Sequence, residues 1–188
     1  MQYAEVFFNT IPISPRVFYQ SASNDVVKSF DLVHARFLPD EQFEIWLGEA
    51  KLYEDRAQAV SAAVASITEH IGQGFLTNQK LLLGPQIPKS TPHYNKIVEI
   101  FESQTSLDKF LNTAVFVVGV LANGDAIQSA KTSDASYRTK TVAELQALAA
   151  QLSKSGLQAK VKLILIYVPL KNKETFSQEF DSRLKALQ

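Results

Sequence analysis

Apolar residues recur along this chain with two periods. Between Phe30 and Leu52 they alternate with polar ones, the pattern of a strand with one buried face. Pro39-Asp40-Glu41, all turn-forming types, interrupts the alternation. The stretch therefore predicts a β-hairpin of strands Phe30–Phe37 and Phe43–Leu52. From Asp55 to Ile71 the period becomes helical, with Ala57, Val60, Val64, Ile67 and Ile71 as one stripe and Gly72 and Gly74 as a stop. Val115–Leu121 is apolar without alternation and predicts a buried strand. Leu157–Val168 starts with alternating lysines and then reads as buried throughout. Phe176, Phe180, Leu184 and Leu187 give a final amphipathic helix over Thr175–Leu187.

Shorter signals fill the rest. Tyr3–Thr10 predicts a helix with Val6, Phe7 and Thr10 on one side, ended by Pro12 and Pro15. Arg16–Gln20 reads as a strand, and Ser21–Asp25 as a turn. Leu76–Leu83 is a helix closed by Gly84-Pro85, and Thr91-Pro92 opens another reaching Glu102. Ser106–Leu111 is a short helix, and Asn123–Lys140 is mostly loop. Thr141 and Glu144 form a capping box before a helix to Lys154. The sum is a mixed α/β fold, a single domain over 1–188, with a central mixed sheet flanked by helices and a helical insert around 76–112.

The hairpin carries the candidate chemistry. Pairing Phe37 with Phe43 sets Val33 opposite Leu47, His34 opposite Trp46, Arg36 opposite Glu44 and Asp31 opposite Glu49. Opposite residues share a sheet face, with Cβ atoms about 4.5–5.5 Å apart, and alternation adds Lys51 to the face of Asp31 and Glu49. Two carboxylates and an ammonium thus end a face that is otherwise Val33, Ala35, Phe37, Phe43, Ile45 and Leu47. A one-residue slip would reverse every side chain, so the assignment depends on that register.

Such a cluster suits a divalent cation beside a phosphate. Asp31 and Glu49 are hard oxygen donors fit for Mg²⁺ (or Mn²⁺), with the Ala50 carbonyl as a further ligand. Lys51 would orient or deprotonate an attacking water. Glu5, on the first helix, is a further candidate acid. The alternative is that Asp31, Glu49 and Lys51 are ordinary charged residues at a strand end and Glu5 a solvated helix charge. His34 reads as a structural histidine beside Trp46, and His70 and His93 as structural or surface residues. Lys131, Arg138, Lys140, Lys160 and Lys162 offer either a basic DNA-facing patch or a solvated strand edge.

Composition narrows this further. Nineteen basic residues balance nineteen acidic ones, which argues against a free-standing high-affinity nucleic-acid binder. The absence of cysteine excludes disulfides and zinc–thiolate sites. No apolar run is long enough to span a bilayer and no signal peptide is visible, so a cytoplasmic protein with no membrane partner is expected. There is no glycine-rich phosphate loop and no Gly-x-Ser-x-Gly elbow.

The order of a helix with Glu5, a strand, the Asp31 strand, the Glu49-Ala50-Lys51 strand and a helix resembles the PD-(D/E)xK nuclease superfamily, with its restriction-endonuclease-like core. Ala4-Glu5, Pro15-Arg16-Val17, Ser23-Asn24, Phe30-Asp31-Leu32-Val33-His34 and Leu47-Gly48-Glu49-Ala50-Lys51-Leu52-Tyr53 together resemble the HamA-type nuclease subunits of bacterial anti-phage systems such as Hachiman. The resemblance implies a Mg²⁺-dependent DNA nuclease restrained or directed by a superfamily 2 helicase partner. It places Asp31, Glu49 and Lys51 on the superfamily motif and Glu5 on its helix acid. His34 falls on a family-pattern position to which no role is assigned. Phe30 stands where the superfamily's namesake proline would be. The alternative function is a catalytically inactive nuclease-fold subunit that binds and regulates a helicase.

Overall fold

The computed structural model describes residues 2–14, 30–102 and 104–186. The expected strand Arg16–Gln20 and turn Ser21–Asp25 lie outside them. The elements run α1 (Gln2–Phe8), β1 (Thr10–Pro12), β2 (Leu32–Phe37), β3 (Phe43–Tyr53), α2 (Arg56–His70), α3 (Gln73–Leu83), α4 (Tyr94–Phe101), α5 (Leu107–Thr113), β4 (Ala114–Asn123), α6 (Asp125–Ser129), α7 (Ala135–Lys154), β5 (Lys162–Leu170) and α8 (Lys173–Lys185). A five-stranded mixed sheet in the order β1-β2-β3-β4-β5 is flanked by helices. Two compact units divide the chain: residues 1–49, 66–117 and 160–164, and residues 50–65, 118–159 and 165–188.

In the first unit, β2 and β3 pair antiparallel in the expected register, from Phe37 with Phe43 through His34 with Trp46 to Leu32 with Gly48. Burial explains the choice: Val33, Ala35, Ile45 and Leu47 are all buried, and a slip would move all four to the other face. β1 adds to β2 with Thr10 opposite Arg36 and Pro12 opposite His34. The first helix is thus shorter than expected, and Thr10–Pro12 continues as an edge strand, where a proline costs no ladder bond. Val6 and Phe7 are exposed, Ala4 is buried, and the Phe8 ring lies 5.1 Å from Trp46.

In the second unit the C-terminal ends of β3, β4 and β5 come together. Asn123 N–H donates to the Glu54 carbonyl at 3.2 Å, and Gly124 N–H to the Leu170 carbonyl at 3.0 Å. β5 is half-buried rather than buried throughout, since it is the last strand of the sheet. The segment expected to be loop before Thr141 is largely helix. Asp134 caps α7 by accepting from Tyr137 N–H at 2.8 Å, so Thr141 lies inside the helix and donates to the Tyr137 carbonyl. The expected capping box does not form, because Glu144 is engaged elsewhere.

Glu144 is the centre of a polar clamp. One carboxylate oxygen accepts from Ala126 N–H at 2.9 Å and from Arg56 at 3.3 Å; the other accepts from the Tyr167 hydroxyl at 2.9 Å. Arg56 also pairs with Asp125 at 2.7 Å. These bonds join the start of α2, the start of α6, α7 and β5. Gly124 is required there, since a Cβ would sit 2.8 Å from both the Tyr167 hydroxyl and the Pro169 side chain. Burial and the Glu144 bond push the Tyr167 phenol well above its ordinary value, and the Asp125 bond raises Arg56.

Candidate active site

The candidate residues sit where β2 begins and β3 approaches its end. Strand β2 starts at Leu32, and Asp31 lies just before it, half-buried. Asp31 N–H donates to the Gly48 carbonyl at 2.8 Å. Straight continuation of the ladder would match Asp31 with Glu49, so this bond falls one residue short and bends the chain at Asp31. Gly48 is needed opposite Leu32, because a Cβ there would lie 2.8 Å from the Leu32 Cβ. Glycine lets the two strand ends close beside Glu49.

Glu49 is 8 % exposed, an uncommon position for a carboxylate. His70, the last residue of α2, brings Nδ1 to 4.0 Å from the Glu49 carboxylate and is itself 5 % exposed. Phe30 is buried and sets its ring edge-on to His70 at 4.8 Å and to Phe116 at 6.0 Å. Phe30 is thus an apolar anchor beside the bend at Asp31. Sequence reasoning assigned His70 only a structural or surface place. A signal was available: the buried stripe of α2 is Ala59, Val60, Ala63 and Ile67, and His70 continues it at helical spacing. The stripe is turned from the one expected, for Ala57 is exposed.

Further along β3, Ala50 and Lys51 are half-buried, and Lys51 lies two residues from Glu49, on the same side of that strand. Glu5 is not brought to this side. It is exposed on α1, its charge acts on His34, and α1 packs through Phe8 on Trp46. His34 and Trp46 are a cross-strand pair on the face opposite that of Leu47 and Glu49.

His34 lies beside Trp46, as expected. It is 6 % exposed, and its Nδ1 lies 2.9 Å from the Thr10 hydroxyl. Burial lowers its pKa, and the charge of Glu5 partly opposes this. The five basic residues considered as a DNA-facing patch, Lys131, Arg138, Lys140, Lys160 and Lys162, are all exposed.

Among the described residues, no group of three or more His, Asp or Glu is placed to hold a metal ion. The candidate donors by residue type are the carboxylates of Asp31 and Glu49 and the backbone carbonyl of Ala50. That donor set fits Mg²⁺, which takes one or two carboxylates and keeps several waters, rather than zinc, which needs three or four protein ligands. No described helix is long and apolar enough to cross a membrane. In comparison with known proteins, the family model for HamA matches residues 1–184 of the 188. No curated protein and no solved structure matches the chain.

Proposed function

The chain belongs to the HamA family of Hachiman anti-phage defence subunits, and on that premise we propose that it is a Mg²⁺-dependent DNA nuclease acting beside a helicase partner. The observation supporting this reading is the hairpin register. It buries Glu49 at the end of an apolar face and ties the Asp31 backbone to the neighbouring Gly48. Burying a carboxylate is costly, and a strand end has no structural need of one.

In this reading Asp31, Glu49 and the Ala50 carbonyl hold the ion, which when bound supplies Lewis-acid polarisation of the scissile phosphate. Lys51 orients the attacking water, and its charge offsets the negative charge that builds on the phosphoryl oxygens. The water oxygen gives up a proton to solvent as it bonds to phosphorus, the bond to the leaving oxygen breaks, and that oxygen takes up a proton from solvent. His70 and Phe30 hold Glu49 and the Asp31 bend in place. The helicase supplies the DNA affinity that a chain of zero net charge lacks.

Plasmid degradation tests this, using the purified chain with and without its helicase partner, in Mg²⁺ and in EDTA. Lys51→Ala and Glu49→Gln are expected to lower Mg²⁺-dependent cleavage at least about 100-fold while leaving the circular-dichroism spectrum unchanged. A folded chain that binds the helicase but never cuts, and whose Lys51→Ala form still protects against phage, would establish the regulatory-subunit function instead.

A further inference from the structure

The helical insert holds a cation in an unusual place. Helix α3 turns Leu76, Gln79, Lys80 and Leu83 inward, the spacing of a buried stripe, and Lys80 is only 4 % exposed. Lysine is almost never this buried without a partner of opposite charge. Yet among the described residues no carboxylate lies within 4.0 Å of its ammonium. The Lys80 Nζ donates to the Thr105 carbonyl at 2.6 Å and lies 5.7 Å from the centre of the Phe110 ring. Both are weak compensation for a desolvated charge, and burial lowers the Lys80 pKa with no opposing charge acting on it. An ammonium has three protons to donate, and one is used here.

Lys80 also lines a cavity. A space of about 190 Å³ is lined by Thr77, Lys80, Gln104, Thr105, Ser106 and Leu107. The lining brings hydroxyl and amide groups and no carboxylate. The Ser106 Oγ accepts from Lys109 N–H at 3.2 Å, and its hydroxyl proton remains able to donate. The nearby carboxylates are engaged outside the cavity: Glu102 accepts from the Gln104 amide at 2.7 Å, and Glu99 pairs with Lys109 at 2.7 Å. A second space beside Lys80, of about 260 Å³, is lined by Leu81, Pro85, Val98, Phe101 and Glu102 among others, a poorer setting for an anion. The polar cavity is below the usual ligand range of about 300–1,000 Å³, so it suits an ion rather than a nucleoside.

We propose that this cavity is a binding site for one tetrahedral oxyanion of the phosphate class, with Lys80 as its counter-charge. The ion is either free phosphate or the terminal phosphate of an oligonucleotide. The site does not depend on the nuclease reading, because Lys80 and its cavity are built from α3, the turn before α5 and α5 itself.

Thermal unfolding of the full chain with inorganic phosphate, against sodium chloride of matched ionic strength, tests the site. Phosphate at about ten times its dissociation constant should raise Tm by roughly 3–5 °C, and Lys80→Met should abolish the rise. Methionine fills a similar volume without a charge, so this variant should fold. Gln104→Glu, a change at the mouth of the cavity, should abolish the rise independently by repelling the anion. A parallel arm compares 5′-phosphorylated with unphosphorylated oligonucleotides. A Lys80-dependent preference for the phosphorylated one identifies a nucleic-acid end as the source, and a response to inorganic phosphate alone identifies the free ion. No rise beyond the chloride control, or a rise that survives in Lys80→Met and Gln104→Glu, overturns the proposal.

Discussion

At the residue scale, chemistry and packing meet most closely at Gly48 and His34. A methyl group on Gly48 would press on the Leu32 Cβ at 2.8 Å, where two paired strands leave it no room. Gly48→Ala should therefore destabilise the protein by about 1–3 kcal/mol, read by urea denaturation, and disturb the strand just before Glu49. His34 gives a pH signature. Its folded pKa is lowered by burial, so below the unfolded value of about 6.5 the unfolded chain binds the proton more readily. Stability from His34 is then complete above pH about 6.5 and is lost as pH falls toward the folded pKa. Denaturant midpoints across pH 4–8 should show this acid loss, and His34→Gln should flatten it. Side-chain identities predicted Asp31, Glu49 and Lys51 as a set. They did not show which sheet face α1 covers, because that is decided by Phe8 finding Trp46, a contact between residues far apart in sequence.

At the element scale, the Glu144 clamp predicts a sharp asymmetry. Glu144→Ala removes the acceptor for Arg56, Ala126 N–H and the Tyr167 hydroxyl together, and should cost about 2–4 kcal/mol, a fall in Tm of roughly 6–12 °C by calorimetry. Tyr167→Phe removes one of these bonds and should cost about 1 kcal/mol. By contrast α8 buries none of its residues, and Phe176, Phe180 and Leu184 are all exposed along it. Phe180→Glu should leave Tm within about 2 °C of the parent. The periodicity of α8 marked an amphipathic helix, and the helix is there. Periodicity reports that a face is apolar, not that this chain covers it. The start of α7 shows the reverse limit. Thr141 and Glu144 gave the local signal for a helix start, yet Asp134 caps the helix and Glu144 is engaged by Arg56 and Tyr167 instead.

For the whole molecule, charge balance is the governing property. Nineteen positive and nineteen negative residues leave no net field to gather phosphates, and the five lysines and arginines weighed as a patch are solvent-exposed. In the proposed function the isolated chain should bind duplex DNA with a Kd weaker than about 10 μM at about 150 mM salt. The helicase should then tighten binding and lift cleavage. Gel-shift titration across salt concentrations measures this, and tight, salt-resistant binding by the chain alone would contradict it.

What the sequence determined by itself was local or repetitive. It set the two-residue period of the hairpin, the turn at Pro39-Asp40-Glu41, the helix α2, the later part of α7, the buried strand β4, and through register the approach of Asp31 to the strand of Glu49. A register is legible because one face must be buried, and a slip would expose every apolar residue on it. The tertiary structure decided what depends on contacts between distant segments. Thr10–Pro12 became a strand because β2 had an open edge. His70 reached Glu49 because α2 turned Ala63 and Ile67 inward. Lys80 became a buried cation because α3 packs its stripe against α5. Each of these is a choice of partner, and a partner's position is set by the packing of the whole chain rather than by the residues on either side.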